Sequence, residues 1–224
     1  MATKNREEGK MHPGADPTHR GGARSHPRRR VILGGVALAA GLSRAAHAAA
    51  TTAGMVEEVK GQVTAELASQ RRVLVPRADV FIGDDVATAD SSRAAMLLGR
   101  DTTVRLGANA RLRIDRFIAN AGGVLTLDSG PLLLDKAPGD PAAALQVRGA
   151  FGLITVRGTQ IFVGPSQGVI GIFVVHGLID VSAGGLDFVL QTGEGTNIAG
   201  AGAVPTPPVA WGAPRIRAAL ASVS

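Results

Sequence analysis

Ile154-Thr155-Val156-Arg157-Gly158-Thr159-Gln160-Ile161-Phe162-Val163 sets one arginine, one glycine and one threonine between two apolar runs. On each side, apolar and polar residues alternate with the period of two that a half-buried strand requires. The glycine marks a bend or a close approach of two backbones. Arg157 has Ile154, Val156, Ile161 and Phe162 as sequence neighbours. We therefore read it as a buried guanidinium that ties two β-layers together, with Asp84 as its carboxylate partner. The competing reading is a grip on an anionic ligand. Thr159 is expected to bond neighbouring backbone.

Outward from that stretch, short apolar runs recur at intervals of about 8–12 residues, bounded by Gly, Asp, Asn and Pro. Val56 to Leu67 reads as a broken strand pair turning near Lys60-Gly61. Val73-Leu74-Val75 stops at Pro76, and Val80-Phe81-Ile82 runs into Gly83-Asp84. Val104 and Leu106, then Leu112 and Ile114, alternate with arginines. Leu127 precedes a turn at Asp128-Ser129-Gly130-Pro131, and Gly177 separates Val174 from Ile179 and Val181. No useful helical period appears before the C-terminal end. The spacing predicts an all-β single domain, a short β-helix-like or sandwich-like stack of strands. Val169 to Val175 is apolar on both faces, which places it at the centre of the domain.

Charge divides unevenly. Of 24 Lys/Arg and 18 Asp/Glu, nine and three fall in residues 1–48, leaving fifteen of each beyond. The net +6 thus belongs to the first segment, and with 3% aromatics a nucleic-acid surface is excluded. Residues 1–48 read as an export signal: a basic polar front, the apolar run Val31–Leu42, and the small residues Ala46 and Ala48 flanking a cleavage site before Ala49. Arg29 and Arg30, followed by Val31-Ile32-Leu33, fit the twin-arginine export pattern. The expected compartment is the periplasm, or the inner membrane if the signal stays attached as an anchor. With no Cys, no disulfide framework supports the fold.

Residues 49–199 are assigned to the β domain and 200–224 to a Pro/Gly-rich linker with a short tail. Trp211 is expected to tuck against the domain. Pro214 to Ala221 either frays or forms one or two helical turns, with Arg215 and Arg217 pointing away from Ile216 and Leu220. Candidate chemistry is sparse. His176 is the one histidine after residue 47 and reads as a turn residue beside Gly177. A hard-cation site at Asp84, Asp85 and Asp90 or Asp79 is weighed against a solvated acidic turn, and the turn is favoured. No nucleophile–base pair, paired carboxylates or phosphate loop is legible, so neither enzyme nor cofactor is expected.

Six elements in order resemble the FecR domain family. They are Gly61-Gln62-Val63; Gly83-Asp84 with Val86 and Thr88; the ladder Val104, Leu106, Leu112, Ile114; Leu127 with Gly130; Arg157-Gly158-Thr159; and Gly177 between its valine strands. The resemblance spans about residues 55–195 and implies an extracytoplasmic sensor domain of cell-surface signalling regulators. It makes Gly83, Asp84, Arg157, Gly158, Thr159 and Gly177 fold-motif residues. The family's cytoplasmic anti-sigma segment and further C-terminal subdomain have no counterpart in the pattern, which implies a free-standing module. The expected role is non-catalytic binding or sensing. The alternative is an envelope-associated protein that holds a protein or polymer partner through Trp211 and the tail.

Overall fold

A computed structural model of the chain describes residues 50–119, 121–140 and 143–224. The export-signal readings at Arg29, Arg30, Ala46 and Ala48 lie outside the described residues. Two nine-stranded sheets face each other, called here the front and back sheets. The chain begins with β1 (Thr52–Lys60) in front and crosses to the back for β2 (Val63–Leu67) and β3 (Gln70–Val73). It returns for β4 (Asp79–Phe81), crosses again for β5 (Asp85–Thr88), and lays β6 (Arg93–Leu98) and β7 (Thr102–Leu106) in front. Then β8 (Arg111–Ile118) and β9 (Gly122–Ser129) go to the back, and β10 (Leu132–Lys136) to the front. Next, β11 (Leu145–Gly149) and β12 (Gly152–Val156) lie at the back, β13 (Gln160–Ser166) and β14 (Val169–His176) in front. β15 (Leu178–Ala183) and β16 (Leu186–Gln191) complete the back sheet. β17 (Glu194–Ile198) and β18 (Val209–Ala210) complete the front, and α1 (Ala213–Ala221) follows.

The all-β stack expected from strand spacing is the observed fold, combining the two architectures that spacing left open. Neighbouring strands are antiparallel with one exception, the parallel pair β9–β11. Between them the chain spends a single strand, β10, in the other sheet, so it re-enters the back sheet in the same direction. That segment is one β-helix-like turn inside a sandwich.

The period of two fills the core. Val104 and Leu106 descend from β7 in front, Leu112 and Ile114 rise from β8 at the back, and all four are fully buried. A register shift between Ile114 and Arg116 restores Phe117 to the inner face. The turn after Lys60 forms as expected, but β1 and β2 belong to different sheets rather than to a hairpin.

β14 is the third strand in from an edge, not the centre of its sheet. Ile172 and Val174 face the core, while Phe173 faces outward beneath Trp211. The Trp211 ring stacks on Phe173 with centroids 4.9 Å apart and meets Phe162 edge-on at 6.4 Å. Gly171 and Gly195 leave the space it occupies: a Cβ at either position would fall within 3 Å of the indole. The chain's own C-terminal segment therefore covers the second apolar face of β14, with Ala219 and Val223 of the tail extending the cluster. Arg215 is half-buried against the domain. Its guanidinium lies 3.5 Å over the Trp211 ring and donates to Ser166 Oγ and Asn197 Oδ1. Burial lowers its pKa from the ordinary arginine value.

Candidate functional site

The Arg157-Gly158-Thr159 stretch is the crossover from β12 at the back to β13 in front. At the same end of the sandwich lie the crossovers at His176-Gly177 and at Thr192-Gly193. Hydrogen bonds staple these crossovers together. Thr159 Oγ1 donates to the Leu178 carbonyl at 2.9 Å, and its own carbonyl accepts from the Lys136 amide at 3.1 Å. The Gly177 amide donates to Thr192 Oγ1 at 2.9 Å. Gly158 has φ +70°, and a Cβ there would sit 2.8 Å from Pro138 Cα. Gly177 has φ +93° and packs against Thr159. Both glycines and the threonine lie at strand crossings.

Arg157 is otherwise. Its side chain is 46% exposed and pairs with Asp180, which is equally exposed. Strand periodicity is the reason: Ile154 and Val156 point into the core, so Arg157 falls on the outer side. The flanking apolar residues are buried while Arg157 itself is not. Asp84 is also out of reach. Its crossover joins β4 to β5, four to five strands from β12–β13, roughly 20 Å at ~4.8 Å per strand.

Asp84 is the buried charge of the motif, at 0% exposure. Arg72, on edge strand β3, holds it through both terminal guanidinium nitrogens, with Nη1–Oδ1 at 2.8 Å. The Phe81 amide adds a 2.7 Å bond to Oδ2, and the Arg72 guanidinium lies 4.8 Å from the Phe81 ring centroid. β3 and β4 are edge strands of opposite sheets. The clamp thus closes one flank of the sandwich, where inward-facing residues lack a next strand to cover them. In the sequence, Arg72 gave no signal beyond membership of the pair Arg71-Arg72.

A second buried charge is Lys136, 5% exposed, whose Nζ lies 2.7 Å from Asp101 Oδ2. Burial pushes the Asp101 carboxyl up, but hydrogen bonds from Lys136 and Thr102 and the charge of Lys136 outweigh it, so it lies below the ordinary carboxylate value. The acidic turn does not assemble as a cation site. Asp84 faces Arg72, Asp85 accepts from Arg111, and Asp90 lies toward Asn109. Among the described residues, no group of three His, Cys, Asp or Glu is placed to hold a metal. His176 is exposed, at the end of β14. Trp211, 6% exposed, is engaged by its own domain and is not free for a partner.

These features define a two-sheet β-sandwich whose signature residues close strand crossovers and one flank. The family described as FecR protein matches residues 84–180, from the buried Asp84 to the Asp180 that pairs with Arg157. Two crystal structures of a candidate anti-sigma factor from Parabacteroides distasonis ATCC 8503, at 1.65 and 2.50 Å resolution, share the fold, with TM-scores of 0.51 and 0.52. Each is 16% identical over 61% of this chain and covers 64% or 63% of the other, so the chain spans less than two thirds of their length. A comparison with curated proteins gave no match. Among the described residues, no helix is long and apolar enough to cross a membrane.

Proposed function

We propose that this chain is an exported, non-catalytic binding or sensing module of a cell-surface signalling system, acting in the periplasm. The observation that carries the reading is the FecR match over residues 84–180, on a fold shared with a candidate anti-sigma factor. Asp84 and Thr159, two of the side chains singled out by the motif, support it, because they hold the scaffold and leave the recognition surface to other residues. Asp84 is consumed by Arg72 and the Phe81 amide, and Thr159 by the Leu178 carbonyl. Arg29 and Arg30 carry the export half of the reading, by the twin-arginine pattern.

Two measurements test it. Replacing Arg29 and Arg30 with lysine is expected to strand the protein in the cytoplasm, and undiminished periplasmic recovery refutes that route. Deleting the gene is expected to change transcription of a small set of promoters under one alternative sigma factor. An unchanged transcriptome, across conditions in which the protein is made, refutes a signalling role.

A further inference from the structure

The sandwich has four sheet edges, and three are guarded. β4 is three residues long and β18 only two. β3 has four residues, two of them Arg71 and Arg72. Short length and edge cations are the usual defences against strand addition. The fourth edge, β16, has neither. It runs six residues, Leu186-Asp187-Phe188-Val189-Leu190-Gln191, paired with β15 over its whole length without a register shift. It contains no Pro, Gly, Lys or Arg. Leu186 is 49% and Val189 43% exposed, and Leu178 on the adjoining strand is 49% exposed. Among the described residues, no backbone group of 186–190 bonds outside the β15 ladder. Phe188, on the inner face, packs against the core while remaining partly open.

We infer that β16 is the docking edge for a second copy of this chain, added antiparallel so that the two back sheets become one continuous sheet. Sheet alternation allows side chains to meet only in registers that pair inner with inner and outer with outer. The register centred on Val189 satisfies this and is self-complementary. Val189 meets Val189 of the second copy on the outer face. Phe188 falls opposite Leu190 of the second copy, whose side chain is already buried in its own core, so it is the added strand as a whole that covers the half-open ring. Asp187, the only charge on the strand, meets the Gln191 carboxamide of the second copy, a donor for its free carboxylate oxygen. Asp187 already accepts from Ser182 at 2.5 Å through Oδ1, which leaves Oδ2 for that donor. No like charges face each other. Nor does net charge oppose association, since Lys/Arg and Asp/Glu balance after residue 48.

A single strand pair buries less than the roughly 1,200 Å² of standard interfaces, so the dimer is a weak one, with a dissociation constant of about tens of micromolar. Sedimentation velocity of the full chain is expected to show monomer at low and dimer at high micromolar concentration. Val189→Lys, an exposed substitution, should raise the dissociation constant at least tenfold while leaving circular dichroism unchanged. The chain has no cysteine, so a second variant reads the register directly. Val189→Cys places two thiols opposite each other within disulfide reach and should cross-link to a dimer under mild oxidation. Val73→Cys, on the guarded edge and 65% exposed, should not. A wild-type chain that stays monomeric to about 1 mM, or equal cross-linking at both positions, overturns the inference.

Discussion

Replacing Asp84 and replacing Arg157 should have sharply different costs, although both belong to one sequence signature. Asp84 is fully buried, with two charged hydrogen bonds from Arg72 and one amide bond from Phe81. Removing one partner of a buried pair costs about 3–5 kcal/mol, because the other charge is left without compensation. In Asp84→Ala the orphan is Arg72, which is 31% exposed and recovers part of its hydration. That puts the ion-pair loss near 2–3 kcal/mol, and the unsatisfied Phe81 amide adds about 1 kcal/mol. The total is about 3–4 kcal/mol. Arg72→Ala should cost at least as much, since the carboxylate it abandons has no access to water. Arg157→Ala opens a pair that is half exposed on both sides and should cost no more than about 1 kcal/mol. Urea unfolding followed by Trp211 fluorescence and far-UV circular dichroism separates the cases. With a slope of about 2 kcal/mol per molar, the Asp84 and Arg72 midpoints should fall by roughly 1.5–2 M and the Arg157 midpoint by less than about 0.5 M. Equal losses at Asp84 and Arg157 would refute the assignment of the buried charge.

Trp211→Ala removes a side chain that is 6% exposed, stacked on Phe173 and covered by Arg215, and should cost about 3 kcal/mol, read by chemical denaturation. The same variant should bind a hydrophobic dye through the uncovered Phe162 and Phe173; a variant as stable and as dye-silent as the parent would show that the tail is not part of the fold. Gly158→Ala forces a left-handed backbone on alanine and brings its Cβ to 2.8 Å from Pro138 Cα, for a loss of about 1–3 kcal/mol in the same assay. Because the folded-state carboxyl of Asp101 lies below its unfolded value, its pairing with Lys136 contributes fully at neutral pH and is lost as pH falls below about 4. Asp101→Asn should therefore flatten the acid limb of a stability–pH curve, and an unchanged limb would remove Asp101 as its source.

How far the fold could be read from the sequence follows from which interactions are local. Strand content was legible because alternation is a local property: Leu112-Arg113-Ile114 announces one buried and one exposed face wherever the strand lies. Which sheet a strand joins was not legible. Lys60-Gly61 looks the same whether it closes a hairpin or carries the chain from front to back, and here it does the latter. Gly158 and Gly177 were readable as backbone devices because a positive φ leaves a direct trace in residue type. The partners of Arg157 and Asp84 left no such trace. Choosing Asp84 for Arg157 required knowing that nine strands would be laid down between Arg72 and Arg157, and only one of those arginines ends beside it.

The C-terminal segment shows why composition misleads at the end of such a fold. Gly200 to Pro208 reads as linker, and residues 213–221 as a short helix too weak to persist alone: it has no side-chain cap, no acid in its first turn and no base in its last. Its stability comes from packing, for which β14 had already given the sign. A strand apolar on both faces needs two covers, and the back sheet supplies only one. The second cover is Trp211 and α1. Among the described residues, the chain therefore finishes its own front sheet and leaves one unguarded hydrogen-bonding edge at the back, on β16. The same demand for partners, met internally at β14 and unmet at β16, ties the placement of the tail to where a second copy docks.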